Sequence, residues 1–405
     1  MRKVQKELLD KCSVCDSKNL VEFLSLPAFP QIGIYLDLSS SEDQYPCVDN
    51  SLMICDACGH VQMEYALDPV FLYDTSFQHK TSQSASAKQA NIFLFDVIKK
   101  HYPNLQSKSI AEVGCNDTFF LRKFVEDFGC TAVGVDPTLQ GNEEAFLNDL
   151  DPDIASRFSV IGEFIEDVDF TSRLGFSPDI VVSNFVFEHL KHPKLVAESM
   201  LKCVSDTGIC AIGVPTLEFM SFNCRFDQMS HQHYQQFSVR ALHQLVEGLG
   251  AKVIACETNF TNWGQTVIIF QKGDKPSEQY LNFHRFTLGE LQASLDIFKR
   301  DIETMKIKLD HLTRGRKIYG FGAAQNFPIF HYFAGKDLPI NIILDDHPQR
   351  QDKKFPYVDN MVTAKPEACY NGAVSLLTGP DYARVLFKRI GELNFDHIIS
   401  PFSSY

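Results

Sequence analysis

Between residues 108 and about 272, six β-like runs alternate with helical stretches, and no other feature of the chain restricts its fold so tightly. The runs are SIAEVG, TAVGVD, IVVSN, GICAIGV, AKVIAC and TVIIFQ. Apolar strands separated by helices demand a sheet covered on both faces, because each strand must bury two sides and each crossover must pack back onto them. The expected fold class is α/β, with a Rossmann-like middle domain spanning 76–275.

The flanks read differently. Residues 1–75 are short-patterned and irregular, with two CxxC pairs and a Pro-bearing stretch between them. Residues 81–101 predict a helix opened by Thr81 and Ser82, with Ile92, Phe93, Phe95 and Ile98 as apolar surface. From Leu288 through Leu291, Leu295, Phe298, Ile302, Met305 and Leu309 to Leu312 the apolar spacing alternates three and four. That places an a/d seam on one long helix within 276–313. The seam serves either the chain's own core or a second copy, so both monomer and homodimer stay open. Residues 314–405 restart the α/β rhythm: KIYGFG, a helix beginning near Ala323, NIILDD, SLLTG and HIISP.

Composition narrows the functional classes. The chain has 405 residues, 44% of them hydrophobic, which excludes wholesale disorder. A formal net charge of −13 argues against a nucleic-acid or anionic-membrane coat. No run of about 18 apolar residues predicts a membrane span. The opening MRKVQKELLDK lacks a leader's apolar core, so a cytoplasmic location is expected. There the twelve cysteines are thiols or metal ligands rather than disulfides.

Cys12-x2-Cys15 and Cys55-x2-Cys58 are two knuckles, each able to turn two thiolates onto one ion. Together they make an all-sulfur shell that favours Zn2+ over iron. Asp16-Ser17 and Gly59 supply the turns. Buried unpaired cysteines and a redox pair are the alternatives, and Cys47 and His60 lie nearby as substitute ligands. Four protein ligands leave no open position, so the expected role is structural, remote from any reaction.

SIAEVG runs into Cys115-Asn116-Asp117-Thr118 and then the helix FFLRKFVEDF, and TAVGVD ends on Asp136. A tight strand-to-helix turn with an acid closing the second strand is how such a fold grips an adenine nucleoside. A dinucleotide would call for GxGxxG, yet only Gly114 is present, and Glu112 sits before the turn. A carboxylate there repels pyrophosphate and suits the amino and sulfonium charges of S-adenosylmethionine. The cofactor candidates are Glu112, Gly114, Asn116, Asp117, Asp136, Asn184 and Phe185, with NAD or an empty fold as alternatives. After the third strand, Asn184, Glu188, His189 and His192 cluster where the crevice of such a sheet lies. The segment Ser230-His231-Gln232-His233-Tyr234 precedes a helix capped by Ser238. No third ligand at zinc spacing accompanies its histidines, so a general base is the sharper reading than a metal, beside plain structural hydrogen bonding.

Cysteine knuckles, a methyl-donor turn and a trailing α/β domain, in this order, resemble the sugar C-methyltransferases that act on nucleotide-linked 4-keto deoxysugars. The carriers are CSVC…CDAC, AEVGCND, SHQHYQQFS, YGFGAAQN and ILDDHPQRQ, which cover essentially the whole chain. The resemblance implies a class I methyltransferase domain between a zinc module and a C-terminal Rossmann-like domain that binds or shapes the site for substrate. It implies His233 as the base that forms an enolate, His189 as the group that polarises the keto oxygen or handles a proton, and His231 and Ser230 beside them. It implies a small-molecule acceptor, a nucleotide sugar, with neither nucleic acid nor membrane as partner. This chain has Ser230 and Gln232 where the family carries Tyr and Glu, Thr118 for the last Gly of the turn, and Phe77-Gln78-His79-Lys80 in a Tyr-rich stretch after Tyr73. It has Trp263-Gly264-Gln265-Thr266 for a Gly-Gly-Ser stretch, and Gln325-Asn326-Phe327-Pro328 for Lys-Gly-Asn-Thr. O-methylation is the alternative transfer. The partial fingerprint Gly320-Phe321-Gly322 with Asp345-Asp346 keeps an NAD-dependent oxidoreductase as a rival class, and the loss of the Tyr and Glu partners keeps a non-catalytic scaffold as another.

Overall fold

The computed structural model describes residues 4–72, 80–168, 170–261, 264–273, 278–358 and 361–402. Tyr73, Phe77–His79 and Trp263, singled out above, lie outside them.

The N-terminal sheet is antiparallel: β1 (Leu20–Phe29), β2 (Val48–Cys55) and β3 (Val61–Met63) lie in sequence order. Helix α1 (Ala85–His101) follows. It starts later than the sequence predicts, because Ser84 is the residue whose hydroxyl caps Ala87 N, and Thr81–Gln83 form a separate 3-10 turn. Its buried face carries Leu94, Phe95, Val97 and Ile98, while Ile92 faces outward.

The middle sheet comprises β4 (Ser109–Val113), β5 (Thr131–Val135), β6 (Phe158–Ile161), β7 (Ile180–Asn184), β8 (Ile209–Val214), β9 (Lys252–Asn259) and β10 (Gln265–Gln271). Across the sheet the order is β6-β5-β4-β7-β8-β10-β9, with β10 antiparallel to both its neighbours. The remaining pairings are parallel, and β7 and β8 are buried along their whole length. Strand order reverses beside β4, so the crevice opens at the carboxyl ends of β4 and β7. The expected class, a Rossmann-like sheet of the class I methyltransferase kind, is the one observed.

Helix α2 (Leu288–Leu312) opens with a full capping box between Thr287 and Glu290. The six inner seam residues, Leu291 to Leu309, are buried in this chain's own core beside Phe23, Leu26 and Phe29 of β1 and Phe330 and Phe402 of the third unit. Only the two ends of the seam, Leu288 and Leu312, are exposed. Its own protein covers the seam.

The third sheet is wholly parallel. Its strands β11 (Ile318–Phe321), β12 (Ile342–Leu344), β13 (Val362–Ala364), β14 (Val374–Leu377) and β15 (His397–Ile399) are ordered β13-β12-β11-β14-β15. The helix after β11 covers Phe327–Phe333 rather than starting at Ala323. Ala323 N is held instead by the Asp345 carboxylate at 2.7 Å, and Pro328 suits the helix's first turn.

Candidate active site

The two cysteine pairs meet. Cys12 and Cys58 Sγ are 3.6 Å apart, as are Cys15 and Cys55, and all four sulfurs lie within 4.8 Å of one another. A tetrahedral shell with Zn–S near 2.3 Å has sulfur–sulfur edges of about 3.8 Å, so the set fits a zinc ion. Each knuckle turns through a left-handed residue directly after its second cysteine, Asp16 (φ 59) and Gly59 (φ 81). Gly59 is obligatory: a Cβ there would lie 2.6 Å from Phe286 O. Cys47 and His60 are outside the cluster.

The zinc sheet reaches the histidine segment. Gln235 and Gln236 add a two-residue strand to β3, pairing with Gln62 and Val61. Met63 N donates to Tyr234 O at 2.8 Å, and the Tyr234 hydroxyl to Leu67 O at 2.5 Å. His60 Nε2 lies 2.9 Å from Gln235 Oε1. The zinc sheet thus pairs directly with the segment that carries His233, and an isolated two-residue pairing has no periodicity from which to read it in the sequence.

In the cofactor crevice, Asp136 holds the turn. Its Oδ2 accepts from Asn116 N at 2.8 Å, and its Oδ1 from Thr138 N at 2.9 Å and the Thr138 hydroxyl at 2.5 Å. Gly114 (φ 74) lets Val186 close on the turn; a Cβ would meet Val186 Cγ2 at 2.2 Å. Asn116 and Thr118 both adopt left-handed backbone, so Thr118 occupies glycine-like space with a buried side chain. Thr81 N donates to Asn116 Oδ1 (3.0 Å) and Ser82 N to Asp117 Oδ2 (2.9 Å), so these two residues clamp the turn instead of opening the helix.

Glu112 is buried with its Oε2 lacking any partner among the described residues, and Asp117 Oδ1 is likewise buried without one among them. Burial, then the neighbouring Asp136 and Asp117 charges, hold the Glu112 carboxyl well above the ordinary range. Such a carboxylate cluster is incomplete without positive charge, and it suits a ligand with an ammonium and a sulfonium group far better than a pyrophosphate. S-adenosylmethionine fits: Glu112 and Asp117 would face its cations, with Asp136 and Gly114 shaping the turn around the nucleoside.

Asn184, placed among the cofactor candidates, is bound up in the fold. Its Nδ2 donates to Asn91 Oδ1 at 3.2 Å and its Oδ1 accepts from Gln265 Nε2 at 3.0 Å, bracing α1 against β10. Phe185 (φ 55) is half-buried at the end of β7 and donates its N–H to Gly213 O at 2.8 Å.

Three residues beyond Val186, His189 meets His233 edge to face, with ring centroids 4.8 Å apart. Ligand-type atoms of Glu188, His189 and His233 lie within 4.8 Å of one another. Burial pushes His189 down to about 4, and burial with His189 beside it pushes His233 down to about 3, so both rings are neutral at pH 7. Ser230 Oγ is buried without a partner among the described residues, and Ser230 O accepts from His233 N at 3.1 Å. His231 is placed elsewhere than a catalytic role needs. Its Nε2 bonds Phe29 O at 3.1 Å and its Nδ1 faces Asn50 Nδ2 at 3.4 Å, so both nitrogens tie the segment to the zinc sheet. His192 lies at the surface, 3.7 Å from Glu7.

This fold and crevice define a class I S-adenosylmethionine methyltransferase domain behind a zinc-binding module. Comparisons agree: residues 86–255 match the family described as "Methyltransferase domain", and residues 12–73 the one described as "Putative zinc binding domain". Over 265 residues the chain is 24% identical to the C-methyltransferase NovU of Streptomyces niveus, a stretch covering 64% of this chain and 60% of that protein. Similar solved structures include the 1,6-didemethyltoxoflavin-N1-methyltransferase of Burkholderia thailandensis (15% identity, 48% of this chain, 80% of that one, TM-score 0.36). Another is the magnesium protoporphyrin IX methyltransferase of Synechocystis PCC 6803 (9% identity, 48% and 89%, TM-score 0.38).

Proposed function

We propose that the protein transfers a methyl group to a carbon next to a ketone, on a nucleotide-linked keto-deoxysugar. The observation that carries this reading is the neutral imidazole pair His189–His233, set beside the cofactor turn through Val186. S-adenosylmethionine supplies the electrophilic methyl group. Removing a proton next to a carbonyl needs a base on the carbon and a donor at the oxygen; His233 offers the base, and His189 becomes the donor once its Nε2 carries a proton. A neutral His233 can accept the proton. The name of the Streptomyces niveus relative, a C-methyltransferase, supports carbon as the acceptor. The third unit shapes the acceptor cleft: its Asp381 accepts from Arg225 Nη2 (2.7 Å) and Gln228 Nε2 (2.8 Å) in the loop leading to the histidine segment. Cys12, Cys15, Cys55 and Cys58 would hold a zinc ion, which would serve to fix the sheet that pairs with that segment's strand.

The test is exchange. In deuterated water with S-adenosylhomocysteine, the protein should wash deuterium into the carbon next to the ketone of a nucleotide-linked keto-deoxysugar. His233→Ala should abolish exchange while S-adenosylmethionine affinity, by calorimetry, stays nearly unchanged. Methylated product with no exchange under any condition would assign the transfer to a hydroxyl instead.

A further inference from the structure

Glu188 is a buried acid that the reading above leaves without a task. It is 1% exposed, its Oε2 has no hydrogen-bond partner among the described residues, and its Oε1 stands 4.0 Å from His189 Nε2. Burial pushes its carboxyl up to about 8, so it keeps its proton at neutral pH. His189 Nδ1 lies 2.7 Å from Gln232 O. A carbonyl oxygen only accepts, so Nδ1 carries the ring proton and Nε2 of the neutral ring is a lone pair. In that tautomer His189 cannot donate from Nε2 to a ketone oxygen. Some group must first give it a proton, and among the described residues Glu188 is the acid beside it.

We propose that Glu188 is the proton source that turns His189 into the donor at the enolate oxygen. This rests on the enolate reading above. As His233 takes the proton from carbon and charge moves onto oxygen, the Glu188 O–H bond breaks and an N–H bond forms at His189 Nε2. The resulting carboxylate–imidazolium pair faces the oxyanion. When the enolate electron pair forms the new carbon–carbon bond and the ketone returns, the Nε2 proton goes back to Glu188; the one on His233 leaves to solvent. No electron leaves or enters the site. Bringing the two groups from 4.0 Å to hydrogen-bond range takes a side-chain shift of about 1 Å. Glu188 acts through His189 and is a positioning residue.

Among the described residues, the titratable groups at this cluster are His189 from its own loop and His233 from the histidine segment. The zinc sheet adds His60, turned to Gln235, and Tyr234 spends its hydroxyl on Leu67 O.

The experiment uses the zinc-loaded full chain with S-adenosylhomocysteine and a keto-sugar nucleotide, reading deuterium exchange against pH. Wild-type exchange should fall as pH rises through about 8, where Glu188 loses its proton. Glu188→Gln should slow exchange by about 100-fold and remove that alkaline fall. Its S-adenosylhomocysteine affinity should stay within about twofold of wild type, and Glu188→Asp should recover part of the rate. Difference infrared spectra should show a protonated-carboxyl band at neutral pH that E188Q lacks. His189→Gln, whose amide donates at every pH, should also lose the alkaline fall, and it decides the matter if E188Q does not fold. An alkaline fall surviving either variant, or no such carboxyl band, overturns the relay alone. Wild-type protein that never exchanges overturns the enolate reading and the relay with it.

Discussion

The middle and third units are built around the same device and use it differently. Both sheets place their first five strands in the order 3-2-1-4-5. In both, an aspartate ending the second strand accepts from the first turn's backbone and from the N–H two residues beyond itself. Asp136 takes Asn116 N at 2.8 Å and Thr138 N at 2.9 Å; Asp345 takes Ala323 N at 2.7 Å and His347 N at 2.8 Å. The surroundings diverge. Among the described residues, the middle crevice leaves Glu112 and Asp117 oxygens buried and unmatched. In the third, Thr378 caps Gly322 O at 2.8 Å, and the Asp381 carboxylate is met by Arg225 and Gln228 from the middle domain. An acid at that position is thus first a clasp for a turn. A crevice becomes a ligand site when polar atoms remain that the chain itself does not satisfy.

The largest expected effect concerns the plug in the third crevice. Arg225 is buried, bonded through Nε and Nη2 to the fully buried Asp227 at 2.8 and 2.9 Å. Removing one partner of such a pair strands the other charge. Arg225→Ala should cost about 3–5 kcal/mol in denaturant unfolding. If the third crevice were a vacant nucleotide site, the same change would be mild and would open it to NAD, a result calorimetry would reveal. Next comes the unmatched acid of the middle crevice. Glu112→Gln should weaken S-adenosylmethionine by about 10- to 100-fold, the loss of one charge-assisted contact. An unchanged affinity would mean that Glu112 is no ligand group and that unmatched buried oxygens do not mark the ligand crevice.

Covalent spacing and periodicity made part of this legible in advance. The CxxC pairs announced the sulfur shell because two residues between cysteines fix a knuckle whatever surrounds it. The seam from Leu291 to Leu309 and the strand rhythm were equally plain, since burial imposes their period. What stayed hidden depends on single contacts across long separations. Gln265 and Asn91 have no pattern that sends them to Asn184. Nothing near Gln235 announces that its strand neighbour is Gln62. The two histidines of SHQHY are equivalent as letters, and packing alone ties His231 to Phe29 O while leaving His233 beside His189.

A smaller effect separates the crevices by pH. Unliganded, Glu112 holds its proton above the usual carboxyl range, so the fold binds more protons there than the unfolded chain, and this term erodes stability as pH rises. Binding a cation requires the anion. S-adenosylmethionine affinity should therefore increase with pH until Glu112 is ionised, with proton release on binding visible as a buffer-dependent calorimetric heat. Glu112→Gln should abolish the release; release of the same size in that variant would place the proton elsewhere.

The smallest effect is the most discriminating, because one chemical change is made in both clasps. Replacing Asp345 with Asn turns one of two acceptor oxygens into a donor and leaves a backbone N–H of the turn unsatisfied, at about 1–2 kcal/mol. Asp136→Asn does the same to its own turn. Asp345→Asn should lower stability to denaturant and leave S-adenosylmethionine affinity within about twofold. Asp136→Asn should lower both, since its turn is also the cofactor's floor. Should Asp345→Asn weaken the cofactor as much as Asp136→Asn does, the third clasp would be part of the methyl-donor site, and the division between a ligand crevice and a self-filled one would fail.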